Sequence, residues 1–479
     1  MTDTLAAGAF PQAAERIPEE AYELHRRLSG VAERFLRFAA ETPGCLEAAS
    51  FPGLHRPADP IYRYPLQPWP TFVARRLLAE MTASNLRLCR LIKELPQRIF
   101  GGQPDRLAEF YGLDAVQTEL VAAALAAGPS SETLVARGDY VMTSAGLRCL
   151  EVNFGANLGG WELGMLTGRY REVEVLRSFL DGHAPAAAST DTLGRVLVHL
   201  LEVFEGLGEP DADVCRVAFL APKGFDPHEN EPSRVFFERA FCGLLARSGR
   251  SATGEVRLCL YDQLETASGV LKLDGERVHV VLEQHPLRYD GRILECLERR
   301  TVVLVNGPLK EVLDEKRNLA LLSDPRYRDV FDDEERRLID SLVPWTRVVA
   351  DRRTELGGRE WNLPDLLLEQ RERLVLKRGR GLAGLAVHLG VSTPEPEWRE
   401  KVERALAEGG WVVQELVRSE PFIYQHGDVG CAPHDVVWGL FDVGGRHGGG
   451  FLRLMPQGRG LPVNTNTGAR EGILLEVPE

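Results

Sequence analysis

The sequence predicts a mixed α/β (α+β) protein made of several packed lobes. Apolar residues recur at three- and four-residue intervals from about residue 12 to 128, which is typical of helices. Short apolar strands then alternate with helical stretches between about 210 and 305, and the last part of the chain is rich in strands. With 479 residues, 44% of them hydrophobic, the chain has material for roughly two to four lobes.

The first segment, residues 1–128, is predicted to be a helical N-terminal region. Its helical spacing lies in AYELHRRLSGVAERFLRFAA, FVARRLLAEMTASNLRLCRLIKEL and RLAEFYGLDAVQTELVAAALAAG, and a proline-rich loop near 52–70 interrupts it. A second segment, 129–205, begins with the strands VARGDYVM and RCLEVNF joined by a short turn. A helix through GMLTGRYREVEVLRSFLDG and the connection HAPAAASTDT follow.

The third segment, 206–305, is predicted to be a small parallel α/β lobe. Its strands are CRVAFLAP, VRLCLYD, VHVVLEQ and TVVLVNG, and SRVFFERAFCGLLARSG is a connecting helix. The fourth segment, 306–479, starts with the helices DEKRNLALLSD and DEERRLIDSLV. A single β-rich lobe is expected after them, with the strands ERLVLK, LAVHLG, WVVQELV, VVWGLFDV and FLRLMPQ.

Composition favours a small-molecule partner. A net charge of −13 disfavours binding to nucleic acid or to an anionic membrane. The eight cysteines are dispersed, which indicates buried thiols in a reducing compartment rather than disulfides or zinc. The N-terminus lacks a signal-like apolar core, and no run approaches 18 apolar residues, so we expect a cytoplasmic protein. The oligomeric state stays open.

The hairpin after residue 134 carries the most informative side chains. If Gly146 is the left-handed residue of a three-residue hairpin loop, Asp139 pairs with Glu151 and Arg137 pairs with Asn153. Alternation then places these four side chains on one face, while the opposite face, with Tyr140, Met142, Leu150 and Val152, points to a core.

Two carboxylates and one amide oxygen suit Mg²⁺, which takes oxygen ligands and keeps several positions for water and phosphates. Arg137 beside such a metal makes sense where a transferred phosphate or an oxyanion needs neutralisation. Because Asp139 and Glu151 are adjacent, we also expect that neutralising either one relieves repulsion and leaves the fold at least as stable. The alternative interpretation is an amphipathic hairpin with a solvated charged face.

Two lysines and a glycine-rich turn are candidates for binding phosphate. Lys377 ends a strand and is followed by Gly379, Gly381 and Gly384, a pattern that lets backbone N–H groups approach an anion. An ordinary hairpin is the alternative. Lys316 stands at the start of a helical run, where a solvated surface lysine is the simpler interpretation. The strand 411–417 contains Gln414 and Glu415 and could present backbone groups to an adenine, or could be a plain buried strand.

Taken in order, these residues resemble the circularly permuted ATP-grasp enzymes, in particular the synthetase part of glutathionylspermidine synthases. The resemblance covers roughly residues 130–479 and rests on the order of its motifs, because unpermuted ATP-grasp chains place the lysines before the metal ligands. The motifs are Arg137-Gly138-Asp139, Glu151-Val152-Asn153, Asn306-Gly307-Pro308 through Lys316, Lys377 with Gly379 to Gly384, and Gln414-Glu415.

The resemblance implies a site for each group. Asp139, Glu151 and Asn153 would bind Mg²⁺, and Arg137 would act as the catalytic residue on transferred phosphate or on the tetrahedral intermediate. The ATP would be bound by Lys316, Lys377, Gly379, Gly381, Gly384, Gln414, Glu415 and Val417. The segment 206–305 would be the small Rossmann-like lobe that precedes ATP-grasp domains, and the segments 129–205 and 306–479 would be two parts of the ATP-grasp fold.

The implied function is an ATP-dependent carboxylate–amine ligase that forms an amide through an acyl phosphate. The residues after Asn153 differ from those of the glutathionylspermidine enzymes, which argues against glutathione and spermidine as substrates. Arg378 stands where many relatives have proline after the lysine. The alternatives are a small-molecule phosphotransferase and a non-catalytic nucleotide-binding paralogue. Arg453, Asn464 and Asn466 either line the acceptor or metal site or make turns.

Overall fold

The computed structural model describes residues 17–42, 62, 64–127, 134–155, 158–207, 214–221, 227–247, 253–283, 288–381, 386–425, 431–459 and 462–479. The expected mixture of helices and strands is confirmed, with several separate sheets. Among the helices of these residues, none has both the length and the apolar composition needed to cross a membrane.

The largest sheet has seven strands and joins distant parts of the chain. Its order is β1-β20-β19-β18-β2-β3, and β17 pairs with β18 beside β2. All pairs are antiparallel except β1 with β20. The strands are β1 (Thr71–Ala74), β2 (Val135–Thr143), β3 (Gly146–Phe154), β17 (Phe422–Gln425), β18 (Cys431–Val443), β19 (Arg446–Pro456) and β20 (Arg470–Val477).

In the described part of the chain five helices precede β2, where the spacing predicts a helical region of three runs, and β1 lies among them. They are α1 (Glu19–Arg26), α2 (Gly30–Glu41), α3 (Arg75–Arg98), α4 (Pro104–Tyr111) and α5 (Ala115–Ala126). Ser29 starts α2 by accepting a hydrogen bond from the Ala32 N–H. Gly112, in the left-handed conformation, ends α4. These signals divide two of the expected helices into shorter ones.

Three helices follow the β2–β3 hairpin, where one was predicted. They are α6 (Thr167–Glu172), α7 (Glu174–His183) and α8 (Thr192–Gly206). The chain is extended at Val173, which separates α6 from α7. Asp191 accepts a hydrogen bond from the Gly194 N–H and starts α8, a helix that the sequence interpretation missed.

The small parallel α/β lobe is confirmed. Its four strands are all parallel, in the order β10-β9-β4-β5. The lobe also contains an antiparallel three-stranded sheet, β6 to β8, that was not predicted. The elements are β4 (Val214–Leu220), α9 (Pro227–Arg247), β5 (Thr253–Cys259), β6 (Leu264–Ala267), β7 (Val270–Leu273), β8 (Glu276–Arg277), β9 (Val280–Glu283), α10 (Leu294–Glu298) and β10 (Val303–Val305).

The prediction of one β-rich lobe near the C-terminus is wrong. Its strands divide between the seven-stranded sheet and an antiparallel sheet in the order β11-β16-β14-β15, with β12–β13 as a separate hairpin. The elements of this region are α11 (Lys310–Leu313), α12 (Arg317–Ser323), α13 (Asp333–Leu342), β11 (Thr346–Val348), β12 (Arg353–Leu356), β13 (Arg359–Asn362), α14 (Leu363–Glu369), β14 (Leu374–Arg378), β15 (Val387–Leu389), α15 (Glu395–Glu408) and β16 (Trp411–Glu415). Apolar alternation identifies strands but not their partners.

Candidate active site

The β2–β3 hairpin has the predicted pairing at the four candidate residues. Arg137 lies opposite Asn153, and Asp139 lies opposite Glu151. Nearer the turn the register shifts by one residue, so that Tyr140 pairs with Cys149 and the loop has two residues instead of the expected three. The register at the site is therefore confirmed, while the loop length was wrong.

A bulge at Leu150 reconciles the two registers. Leu150 has no pairing partner in β2. Tyr140, Met142 and Val152 are buried as predicted, but Leu150 is only partly buried and lines a cavity on the other side of the sheet. Bulges re-aim side chains and free backbone groups. Here the Leu150 carbonyl accepts a hydrogen bond of 2.9 Å from Lys377 Nζ.

Asp139 is the most enclosed acidic group of the site, with 1% of the residue exposed. Arg137 donates to both of its oxygens, Nε to Oδ1 at 2.8 Å and Nη2 to Oδ2 at 3.0 Å. Arg453 Nη2 and Asn153 Nδ2 also donate to Oδ2, at 2.6 and 3.1 Å. Two guanidinium groups and one amide thus surround this carboxylate. The two guanidinium groups oppose the expected repulsion between Asp139 and Glu151.

Glu151 faces the open side of the same cluster, and a quarter of its side chain is exposed. Its Oε2 lies 3.4 Å from Lys316 Nζ, and its Oε1 accepts from Asn153 Nδ2 at 3.4 Å. Burial raises the pKa of Glu151, but the nearby cations, first Lys316 and then Lys377, lower it to about 2. The carboxylate is therefore ionised at neutral pH.

The two lysines approach the hairpin from the neighbouring sheet and helix. Lys377 is buried on β14, and its Nζ also donates to Gln414 Oε1 at 2.6 Å. Burial lowers the pKa of Lys377 to about 8. Lys316 precedes α12; burial lowers its pKa, but Glu151 and Asp314 attract the charged form and leave the pKa above its ordinary value. The simpler interpretation of Lys316 as a solvated surface lysine is wrong.

The start of the glycine-rich turn is tied to Lys316. The Gly379 carbonyl accepts from the Lys316 N–H at 3.0 Å, and the Gly379 N–H donates to the Gly410 carbonyl at 2.8 Å. The Gly381 carbonyl accepts from Lys316 Nζ at 3.2 Å. The Gly379 N–H is thus hydrogen-bonded within the protein and does not point to a free anion site. Gly384 lies outside the described residues.

The strand β16 presents Gln414 to the site and then leads along a cavity. Gln414 is buried, and its side chain accepts from Lys377 while donating to Thr346 Oγ1 at 3.2 Å. The Glu415 N–H donates to the Trp345 carbonyl at 2.8 Å. Val417, two residues beyond Glu415, lines the cavity, and within the described chain its N–H makes no backbone hydrogen bond.

Two adjoining cavities meet at the hairpin. The large cleft has a volume of about 570 Å³ and lies between β14–β16 and the seven-stranded sheet. The small chamber has a volume of about 300 Å³. Both are lined by Glu151, Val387, Arg453 and Asn464. Lys377, Gln414 and Val417 line the cleft, whereas Arg137, Asn153 and Lys316 line the chamber.

A further cavity of about 680 Å³ lies elsewhere, between α5, α8 and the α/β lobe. Its lining residues Glu202 and Arg446 form an ion pair with each other, with Nη1 and Oε1 2.9 Å apart. The motif residues Asn306, Gly307 and Pro308 line it, but none of the described residues expected to bind metal or ATP or to act in catalysis does. Most of the residues expected to bind metal or ATP or to act in catalysis line the cleft or the chamber instead.

The structure adds residues that the sequence left open or missed. Arg453 contacts Asp139 and lines both cavities. For Asn464 the sequence left two alternatives open, a turn or the wall of a site, and the structure shows both. Its Oδ1 accepts a hydrogen bond from the Asn466 N–H in a tight turn, and the residue lines both cavities. Glu471, a buried carboxylate on β20 that lines the chamber, was not predicted. A lone acidic residue at the head of the apolar run GILLEV was the signal.

The donor set is chemically suited to a hard cation. Asn153 Nδ2 lies within 3.4 Å of oxygens of both Asp139 and Glu151, so the three side chains converge, with the amide nitrogen rather than the amide oxygen toward the carboxylates. The described residues contain no group of three or more His, Cys, Asp or Glu that could hold a metal, and the third member of this set is an amide. Glu151 and Asn153 line the chamber and are accessible, whereas Asp139 is already engaged by four donor contacts.

A solved structure has a similar fold over nearly the whole chain. A glutathione synthetase-like effector (GSS30) from Globodera pallida, determined in the apo form, aligns with a TM-score of 0.56 at 14% sequence identity. The alignment covers 93% of this chain and 97% of that chain. At this identity the similarity shows a glutathione synthetase-like fold alone. No protein-family model and no curated protein sequence matches the chain.

Proposed function

We propose that this protein is an ATP-dependent carboxylate–amine ligase with a circularly permuted ATP-grasp fold, related to the synthetase part of glutathionylspermidine synthases. The observation that carries the proposal is the junction of the two cavities, where Glu151 and Arg453 line both. A ligase needs a nucleotide site and an acyl site that share the point of phosphoryl transfer. A protein that only binds a nucleotide needs one cavity.

The large cleft is the proposed site of ATP. Its apolar walls, which include Val375, Leu389 and Val437, suit an adenine ring, and the Val417 N–H suits its hydrogen-bonding edge. Lys377 projects from one end of the cleft and Lys316 from the adjoining chamber, so the triphosphate would extend toward the junction. The mouth of the cleft is bordered by Val391, which is 41% exposed.

Glu151 and Asn153 are the residues that would hold Mg²⁺, with Asp139 as the third oxygen donor. The ion would neutralise the charge of the phosphate groups. For Asp139 to join the set, its carboxylate must give up at least one of its contacts with Arg137, Arg453 or Asn153. Triphosphate oxygens are the natural replacement partners for the released guanidinium.

The protein residues act mainly through position and charge. The γ-phosphate passes to a substrate carboxylate, and an amine then displaces phosphate from the acyl phosphate to form the amide. Arg137 and Arg453 face the junction and stabilise the negative charge that builds there. Both guanidiniums are preorganised by Asp139, which fixes their orientation before substrate arrives. No nucleophilic side chain is required.

One observation favours a second candidate, a nucleotide-binding protein without turnover. The Asp139 carboxylate is satisfied by protein donors alone, an arrangement that a purely structural ion-pair cluster would also show. A phosphotransferase that leaves a stable phosphoester is the third possibility. The three candidates differ in their products.

The deciding experiment traps the acyl phosphate with hydroxylamine. The full chain is incubated with Mg·ATP, hydroxylamine and a panel of amino acids, small peptides and other carboxylates, and both ADP release and hydroxamate are measured. A ligase yields ADP and hydroxamate together for at least one carboxylate. ATP binding without ADP release across the panel supports the second candidate, and a phosphorylated product that resists hydroxylamine supports the third.

Matched variants show whether the product arises at the proposed site. Lys377→Ala should abolish hydroxamate formation, whereas Lys401→Ala should not. Lys401 lies on α15, pairs with Glu397 at 3.2 Å and lines neither cavity. Equal activity of the two variants would place the reaction elsewhere.

A further inference from the structure

Glu471 occupies an unusual position in the small chamber. It lies on β20 opposite Arg453 on β19, and only 3% of the residue is exposed. Its backbone is bound to the segment 65–67, because its N–H donates to the Pro65 carbonyl at 2.8 Å and its carbonyl accepts from the Gln67 N–H at 2.6 Å. Its Oε2 atom makes no hydrogen bond within 3.5 Å among the described residues, although the Tyr62 hydroxyl is near enough to oppose the rise that burial causes in the pKa of this carboxyl.

The other acidic groups at the junction are engaged. Asp139 accepts from Arg137 and Arg453, and Glu151 pairs with Lys316. Arg453 donates to Asp139 and makes no ion pair within 4.0 Å of Glu471 in the described chain. A buried carboxylate oxygen without a partner is costly, and at the wall of a cavity a ligand can supply the missing donor.

The two sides of the chamber carry side chains of opposite charge. Lys316, Arg137 and Arg453 give its junction side a positive character suited to the anionic acyl phosphate. Glu471 gives the β20 side an acidic group with an open hydrogen-bonding position. The volume, about 300 Å³, is at the small end for ligand sites and suits a compact substrate.

We propose that Glu471 binds the acceptor amine in the small chamber as its ammonium ion and then removes one proton from it. The acceptor is accordingly a small primary amine that is positively charged in solution. This inference rests on the ligase function proposed above. Burial raises the pKa of Glu471, against the opposing effects of Tyr62, Arg453 and Arg137, which is consistent with a group that can hold a proton.

The proton balance is complete. The ammonium group gives one proton to the Glu471 carboxylate and becomes a neutral amine. Its nitrogen then forms a bond to the acyl carbon while the bond between that carbon and the phosphate oxygen breaks. The second proton of the amine leaves with the phosphate, and the amide keeps the remaining one. Glu471 returns its proton to solvent after product release.

The test compares a charged and an uncharged nucleophile in the Glu471→Gln variant. Hydroxylamine is uncharged at neutral pH and needs no carboxylate to bind it. When the substrate is the carboxylic acid identified in the trapping assay, the rate of hydroxamate formation by Glu471→Gln should stay within about twofold of the wild-type rate. Amide formation from a panel of primary alkylamines should fall at least about tenfold, chiefly through a higher KM for the amine, because one charge-assisted hydrogen bond is lost.

Glu162→Gln is the matched control. Glu162 is also buried, and its Oε2 also has no partner among the described residues, but it does not line the chamber. This variant should use alkylamines as well as the wild type does. Glu471→Asp keeps the negative charge on a side chain that is one methylene shorter, so the carboxylate lies farther from the chamber. This variant should raise the KM for the amine without changing hydroxamate formation. It serves as a second test if the glutamine variant does not fold.

A binding measurement separates this inference from the proposed function. Ethylammonium chloride is titrated into the full chain with Mg·ATP present, and binding should weaken at least about tenfold in Glu471→Gln but not in Glu162→Gln. Equal binding or equal amine use by Glu471→Gln and the wild type overturns the role of Glu471. If no carboxylate yields hydroxamate with the wild type, the ligase function fails, and the ethylammonium titration still decides whether Glu471 binds a cation.

Discussion

Replacing Asp139 with asparagine should destabilise the protein strongly. The carboxylate accepts two hydrogen bonds from Arg137 and one each from Arg453 and Asn153, at 2.6 to 3.1 Å. Both arginines are more than nine-tenths buried, so neither charge can turn to solvent. The neutral amide would leave two buried guanidinium groups without the carboxylate to which both are hydrogen-bonded.

The expected loss of free energy of unfolding follows from the hydrogen bonds and ion pairs that Asp139→Asn changes. Each hydrogen bond to a charged group contributes about 1.5–3 kcal/mol, and breaking a buried ion pair by removing one partner costs about 3–5 kcal/mol. We therefore expect Asp139→Asn to lower the free energy of unfolding by about 3–5 kcal/mol at neutral pH. The sequence alone led to the opposite expectation, because it showed the two carboxylates but not the cations around them.

Urea unfolding followed by circular dichroism, without Mg²⁺ or nucleotide, measures this loss. Adding Arg453→Met to Asp139→Asn removes one of the unpaired charges and should recover part of it, so the double variant should be more stable than the sum of the single changes by roughly 1 kcal/mol or more. An Asp139→Asn variant as stable as the wild type would show that repulsion between the carboxylates dominates and that the charge reasoning is mistaken.

Three further predictions concern nucleotide binding, pH dependence and packing. Lys377→Ala should weaken ATP binding by roughly 1.5–3 kcal/mol in calorimetric titrations, because its ammonium group faces the cleft; unchanged affinity would remove Lys377 from the phosphate site. Burial raises the pKa of Glu162 to about 8 from an ordinary 4.5, so the wild type loses stability as the pH rises between these values, at about 1.36 kcal/mol per pH unit. The free energy of unfolding of Glu162→Gln, measured in urea and compared with that of the wild type, should therefore rise by up to about 4 kcal/mol between about pH 5 and pH 8. A difference between the two proteins that does not change with pH would contradict this. Gly379→Ala should lower the melting temperature, because the new Cβ would overlap the buried Glu315 Oε1 and lie 2.8 Å from the Gly410 carbonyl oxygen. Gly381→Ala, whose new Cβ would have its nearest atom at 3.7 Å, should not lower it, and equal melting temperatures of the two variants would refute the packing role.

The pairing at the site could be predicted because a hairpin is a local structure. A short turn and strict alternation of side chains bring Asp139 opposite Glu151 with few alternatives. The bulge at Leu150 was not predicted, and the carbonyl at the bulge contacts Lys377, which lies 227 residues away in the chain. Local spacing carries no information about that partner.

The number of sheets could not be predicted either. Apolar alternation located most of the C-terminal strands, yet β14 and β16 belong to one sheet and β18 and β19 to another. β18 pairs with β19 on one side and with β2 on the other. Which edges join depends on long-range packing, and a single sequence records it weakly.

By itself the sequence determined the mixed α/β class, the parallel lobe and the face of the hairpin that carries Arg137, Asp139, Glu151 and Asn153, because these depend on periodicity and on neighbours close in the chain. Only the tertiary structure decided the electrostatic state of that face. Arg453 and Lys377 reach it from other strands and Lys316 from the start of a helix, and together with Arg137 they make cations more numerous than carboxylates. Charge effects depend on distance and burial in space, which chain order does not specify.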